Sequence, residues 1–350
     1  DEFAITLCTD NCADISFKLA DKIIDALHQP FLVQGIELSL GGSIGVAFYP
    51  EHGTNSHELL RAADVAMYQA KRRSTGLMIY DRDFDDYSTE RLTLANELAQ
   101  AVDQQQLVLH YQPKIELASG AVIGFEALVR WEHPRLGLLY PEAFIHLAEV
   151  SEIIHPFTRT IIELAARDKH RLHQLGYPQP VAVNLSAINL GDSRCINCLK
   201  EVLTSHSLAA HEVELELTET ALMHEGDHAL NLLRSFNDMG VNIAIDDFGT
   251  GYSSLSYLRR LPIKALKIDK SFVKDMLNNH QDSMIVRSTI DLAHNLELLV
   301  IAEGVENTKT LSLLRDMGCD QAQGFGICRP QPFDQLLSWL TKTKSAARGS

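Results

Sequence analysis

Seven short apolar runs in this chain end in acidic or amide side chains, and an active site could be assembled from those ends. In order they are "FEAL" with Glu126, "VNLS" with Asn184, "ELTE" with Glu216 and Glu219, and "IDDFGTG" with Asp246 and Asp247. They continue with "LKIDK" carrying Lys267 and Asp269, "IAEGVE" carrying Glu303 and Glu306, and "QAQGF" carrying Gln323. One carboxylate after a strand is often a helix N-cap or a loop charge. Seven such positions on successive runs are another matter. Clustered carboxylates repel one another and lose hydration, at a cost of roughly several kcal/mol unless cations compensate. An all-oxygen set of Glu, Asp and Asn, with no local His or Cys, suits Mg²⁺ or Mn²⁺ better than zinc. Adjacent Asp246 and Asp247 point to two ions, one carboxylate bridging while its neighbour serves the second. Two ions about 3.5–4 Å apart generate a nucleophile and steady both oxygens of an in-line phosphoryl displacement. Lys267 cannot ligate a metal while protonated. It would orient a water or neutralise developing negative charge, or else form a structural salt bridge.

Positioning these groups requires strands that end on one side of a sheet. Short β-rich runs at 107–117, 122–131, 181–185, 213–217, 242–245, 265–268 and 299–302, with a last one near Gln321, alternate with longer helical patterns. That alternation predicts an α/β fold with a parallel sheet and helical crossovers. Eight strands over about 240 residues fit a (β/α)8 TIM-type barrel, whose sites form at the C-terminal strand ends. The first two are separated only by "ASG", which predicts an antiparallel hairpin and hence an antiparallel first strand. Upstream, residues 1–80 read as a small α/β segment, and residues 81–106 as a connecting helix with Leu92, Leu94, Leu98 and Val102 on a helical period. The barrel is expected over 107–342. The opening "DEFAI" is already strand-like, so the sequence is expected to continue upstream.

Composition narrows the partners. The chain has 350 residues, 45% of them hydrophobic and 22% charged, as expected of a folded globular protein. A formal net charge of -15 gives no Lys/Arg surplus to displace counterions, which argues against DNA as a partner. A polyanionic substrate would need metal ions or a locally basic pocket. No run reaches the roughly 18 apolar residues of a membrane span, and no leader opens the chain. Six cysteines at low density fit a reducing compartment, so the expected location is cytoplasmic, without membrane contact.

The segments "YQPKIEL", "GFEALVRW", "NLS", "ELTET", "DDFGTGYSSLSYL", "LKIDKSFV", "AEGVE" and "QGF" resemble, in order and spacing, the motifs of EAL-domain cyclic di-GMP phosphodiesterases over about residues 92–340. The resemblance implies a (β/α)8 barrel with an antiparallel first strand and two Mg²⁺ or Mn²⁺ ions. It implies hydrolysis of cyclic di-GMP to linear 5'-pGpG. On it, Glu126, Asn184, Glu216 and Asp246 look like ligands of one metal, and Asp246, Asp247 and Glu303 of the other. Glu303 is read as base or as ligand, and Lys267 as the contact to the attacking water. Gln112, Leu128, Arg130, Asp269 and Gln323 would line the substrate site, Arg130 through phosphate oxygens. Glu219, Phe248, Gly249 and Glu306 would couple the loop after Asp247 to a homodimer. A catalytically silent receptor for cyclic di-GMP, acting through dimerisation, is the alternative.

The segment "SIGVAFYPEHGTNSHELLRAADVAMYQAKRRSTG" is similar to the C-terminal half of a GGDEF diguanylate cyclase domain. The signature glycines and first metal-binding aspartate of that family are missing, so no cyclase activity is expected. Lys71, followed by Arg72 and Arg73, stands where that family has a phosphate-contacting lysine.

Overall fold

The computed structural model of the chain describes residues 3–8, 12–28, 31–33, 36–38, 42–72, 75–82, 89–192, 194–250 and 255–348. Two units are distinguished, Asp1–Asn96 and Glu97–Ser350.

In the second unit eight strands pair in a closed ring: β1 (Leu107–Glu116), β2 (Val122–His133), β3 (Val181–Asn184), β4 (Val213–Thr218), β5 (Asn242–Phe248), β6 (Ala265–Ile268), β7 (Leu299–Ala302) and β8 (Gln321–Ala322). β2 to β8 run parallel to one another. β1 is antiparallel to both β2 and β8. The expected barrel with an antiparallel first strand is what forms. β2 runs two residues past the expected run and pairs there with Gly137–Leu139. β5 extends through Asp246 and Asp247, for a reason that belongs to the site.

Helices cover the ring because their apolar residues recur every three or four positions. Helix Ile154–Gln174 buries Phe157, Ile161, Ala165 and Leu172 on one stripe. Trp131, Phe144 and Phe157 stack edge to face beside it. Polar residues close to the strand ends start the crossover helices. Thr218 caps Glu219–Asp238, Asp269 caps Lys270–Asp275 and Asn307 caps Thr308–Asp316, each accepting a backbone N–H. Inside the ring, strand alternation turns Ala244, Ala265 and Ile301 inward, where they form a small apolar cluster. The next inward residues on the same strands are Asp246, Lys267 and Glu303, so this cluster is the floor of the site.

In the first unit, helix Cys12–His28 is followed by an antiparallel pair, Phe31–Val33 with Ile36–Leu38. Ile44–Val46 pairs in parallel with Leu77–Ile79 across helix Ser56–Arg72. Ala62, Val65, Ala66 and Tyr80 form its core, with Ala47 and Met78 packed on it. Gly45 allows this closeness, since a Cβ there would lie 2.0 Å from the Ala63 carbonyl oxygen. The side chains of Lys71 and Arg72, and all of Arg73, lie outside the described residues.

Candidate active site

Lys267 is the centre of the site. Its side chain is fully buried, and Nζ lies 2.7 Å from Glu303 Oε1, 2.8 Å from Glu216 Oε2, 3.1 Å from Asp246 Oδ2 and 3.6 Å from Glu126 Oε2. These carboxylates come from four different strands or strand ends, separated by up to 177 residues in sequence, and only ring closure brings them together. Carboxylate oxygens of Glu126, Glu216 and Asp246 lie within 4.8 Å of one another, as do those of Asp246, Asp247 and Glu303. The two sets share Asp246.

A local irregularity makes the second set. Neighbours on a regular strand face opposite sides, so Asp246 and Asp247 could not otherwise serve one site. The pairing of β5 with β6 slips between Ile245 and Phe248, and Asp247 takes a left-handed φ of 53°. Aspartate tolerates that region better than most residues. The Asp247 N–H donates to Asp246 Oδ1 at 2.9 Å, which holds the bulge. Gly249 follows with φ 101°, and a Cβ there would meet the Phe272 ring at 2.9 Å.

Asn184 Nδ2 donates to Glu126 Oε1 at 2.8 Å, leaving Oδ1 as its remaining ligand atom. Gln323 Nε2 donates to Gln112 Oε1 at 2.9 Å and also to Glu126 Oε2. Gln112 in turn donates to the Cys328 carbonyl at 2.8 Å. Gln323 Oε1 is buried without a hydrogen-bond partner among the described residues. Glu126, Leu128 and Arg130 share one face of β2. Arg130 is buried, donates to the Val129 carbonyl and lies 4.9 Å from the centre of the Tyr140 ring. Its Nε has no partner among the described residues, and burial holds its pKa below the usual arginine range.

Asp269 accepts from the N–H and Oγ of Ser271 and is hydrogen-bonded to Asp247, so it lies beside the second set. Glu219 is buried, and its Oε2 accepts from the Gly249 N–H at 2.8 Å, tying the segment after β5 to a helix start. Phe248 is buried beside it. Glu306 is exposed and makes no hydrogen bond or ion pair among the described residues. Residues 251–254 of the same loop lie outside the described residues.

The electrostatics follow from crowding. Burial, relieved in part by Lys267, pushes Glu303 up to about 8, with Asp246 and Glu126 adding to the rise. Burial likewise raises Glu126 to about 6 and, with the Asp246 charge beside it, Asp247 to about 6. Glu216 is lowered instead, because Lys267 and Lys114 together outweigh its burial. Raised carboxyl pKa values are what crowded, buried like charges produce, and bound cations would reverse them. The all-oxygen donors, the two sets with one shared carboxylate and these raised pKa values fit a pair of hard cations.

Two residues escaped the sequence reading. Lys114 reaches Glu216 Oε1 at 3.3 Å, and Glu214 binds Lys114 from below. The signal was present: Lys114 stands two residues after Gln112, and Glu214 two before Glu216, on the same inward faces. On helix Arg194–Ser205, Cys195 and Cys198 are free thiols, with Cys195 pushed up to about 12 by burial.

The family profile "EAL domain" matches residues 95–330, and "Diguanylate cyclase, GGDEF domain" matches residues 1–76. The chain is 39% identical to "Bifunctional diguanylate cyclase/cyclic di-GMP phosphodiesterase MucR" of Pseudomonas aeruginosa, over 97% of this chain and 50% of that protein. It is 40% identical to "Cyclic di-GMP phosphodiesterase NbdA" of the same organism, over 97% of this chain and 44% of that protein. The chain thus spans about half the length of the curated relatives it matches. Among solved structures, "PaMucR Phosphodiesterase, c-di-GMP complex" superposes with a TM-score of 0.67 at 41% identity, covering 70% of this chain and 99% of that one. Among the described residues, no helix is long and apolar enough to cross a membrane.

Proposed function

The chain belongs to the EAL domain family, and from that premise we propose that it is a phosphodiesterase that hydrolyses cyclic di-GMP to linear 5'-pGpG with two Mg²⁺ or Mn²⁺ ions. The observation that carries this reading is the pair of carboxylate sets sharing Asp246 around Lys267. Residues 107–342 form the phosphodiesterase domain in this reading, 81–106 the connector and 1–80 a partial GGDEF-like segment. The protein acts in the cytoplasm as a homodimer, with Glu219, Phe248, Gly249 and Glu306 coupling the loop after β5 to the partner.

Glu126, Asn184, Glu216 and Asp246 would hold one ion, and Asp246, Asp247 and Glu303 the other. When bound, the ions supply Lewis acidity to the phosphate oxygens and lower the pKa of water. The remaining work falls to the chain itself. Lys267 presents an ammonium where the attacking water and the developing phosphorane charge would lie. Glu303, at 2.7 Å from that ammonium, is suited to take the water's proton or to act as ligand. Arg130, buried with its Nε unpartnered, offers its guanidinium to a phosphate oxygen. Gln112, Leu128, Asp269 and Gln323 line the dinucleotide site, where the orphaned Gln323 Oε1 supplies an acceptor.

Chromatography of cyclic di-GMP after incubation with the protein tests this directly. We expect pGpG with Mg²⁺ or Mn²⁺, none with EDTA, and none from Glu126→Ala or Lys267→Ala. Tight binding of cyclic di-GMP with no product under any metal would make the chain a receptor and defeat the hydrolase reading.

A further inference from the structure

Below the carboxylate ring the barrel interior holds an ion pair where such barrels ordinarily carry branched apolar side chains. Lys114 of β1 is 3% exposed, and its Nζ is bonded to Glu214 Oε1 and lies 3.3 Å from Glu216 Oε1. Its stem runs past Gly124, its partner in the β1–β2 register. A Cβ at Gly124 would come within 3.1 Å of Lys114 Cε. A glycine inside a strand and an ion pair inside a core both weaken a fold relative to apolar packing. Their presence together points to a task other than stability.

That task lies at Glu216. The side chain has no exposed surface, Oε2 is held by Lys267 at 2.8 Å, and Oε1 is held by Lys114. A carboxylate gripped at both oxygens from opposite sides cannot rotate. By contrast, Glu126 is held by Asn184, Gln323 and Lys267 at the mouth, where substrate and ions must also fit. We propose that Lys114, anchored by Glu214, is a positioning residue that sets the orientation of Glu216 for cation binding. This rests on the reading of Glu216 as a metal ligand. Groups that hydrogen-bond a ligating carboxylate from behind typically alter metal affinity or activity by about 10- to 100-fold when removed.

The pair is neutral as a unit, so Lys114→Met with Glu214→Gln removes it without changing the net charge below the site. Any change in cation affinity then reports orientation rather than field. Mn²⁺ is titrated into the full chain and the free ion counted by electron paramagnetic resonance, alongside thermal unfolding and steady-state kinetics. The double variant is expected to unfold cooperatively near the wild-type midpoint and to bind Mn²⁺ about 10-fold more weakly. Its kcat should fall while KM for cyclic di-GMP moves less than about twofold. Lys114→Met alone, which strands Glu214, should lose both affinity and thermal stability. Unchanged Mn²⁺ affinity in a folded double variant would overturn the inference. A double variant that no longer unfolds cooperatively would assign the pair to stability and overturn it too. Wild-type protein that binds no Mn²⁺ would remove the hydrolase reading and this inference with it; wild-type binding matched by the double variant would leave that reading standing.

Discussion

Replacing Lys267 by methionine keeps the length of its buried stem and removes one positive charge from among four carboxylates. Their oxygens lie 2.7, 2.8, 3.1 and 3.6 Å from Nζ. At an effective dielectric of about 20, each contact attracts by about 5 to 6 kcal/mol. Much of that is offset by the dehydration of the ammonium, which costs about several kcal/mol. The carboxylates left behind can also take up protons, and Glu303, at about 8, does so most readily. What remains is the usual penalty for stripping one partner from a buried ionic cluster, about 3–5 kcal/mol. For a barrel of this size that corresponds to a fall of about 10 °C in the unfolding midpoint. The assay is thermal unfolding in EDTA, followed by tryptophan fluorescence. Both tryptophans, Trp131 and Trp339, lie in Glu97–Ser350, so the signal reports the barrel unit alone. Carboxyls whose folded pKa is raised weaken the fold as pH climbs from the unfolded value to the folded one. The deficit should therefore be larger at about pH 8 than at about pH 6. Millimolar Mg²⁺ should raise the variant's midpoint more than the wild type's, because the ion replaces the missing charge. A midpoint within about 2 °C of wild type in EDTA at about pH 8 would refute the argument that Lys267 holds the ring together.

Three further outcomes are expected. Cation binding should release protons and tighten between about pH 6 and pH 8, because Glu126 and Asp247 near 6 and Glu303 near 8 must ionise first. Calorimetry in buffers of different ionisation enthalpy measures that release directly. Glu212 is lowered from 4.5 to about 2, burial being outweighed by Lys169, the Ala209 N–H and His173. Such a shift corresponds at most to about 3 kcal/mol, reduced toward about 2 by solvent screening. A depressed carboxylate stabilises above its unfolded pKa and loses that contribution as pH falls through the folded one. The stability gap between wild type and Glu212→Gln should thus narrow from about pH 4.5 down to about pH 2 in acid-unfolding curves. Gly304, with φ 67°, follows Glu303, and a Cβ there would lie 2.5 Å from the Lys270 Cβ. Gly304→Ala should therefore shift Glu303 and cut turnover more than about 10-fold with a modest loss in midpoint, measured as kcat beside a melting curve.

How legible the site was depended on which interactions set each feature. The strand runs could be read because apolar clustering bounded by turn residues is a local property, and "ASG" marks a hairpin for the same reason. The placement of Glu126, Asn184, Glu216, Lys267 and Glu303 at one mouth followed once those runs were taken as barrel strands. Lys114 and Glu214 were overlooked because an inward-facing charge beneath the site reads, along one strand, like any polar residue on an alternating pattern.

The sequence by itself determined the order of the strands, the antiparallel opening hairpin, the oxygen-only character of the donors and the family. Those depend on residue type and near-neighbour spacing. Tertiary structure alone decided that Asp247 turns in beside Asp246, since strand alternation puts them on opposite faces until the slip against β6 and a left-handed φ reverse one of them. It alone decided that Lys267 stands between Glu216 and Glu303, and that Lys114 grips Glu216 from the far side. Distances of that kind join residues from strands remote in sequence, and the closure of the ring is what sets them.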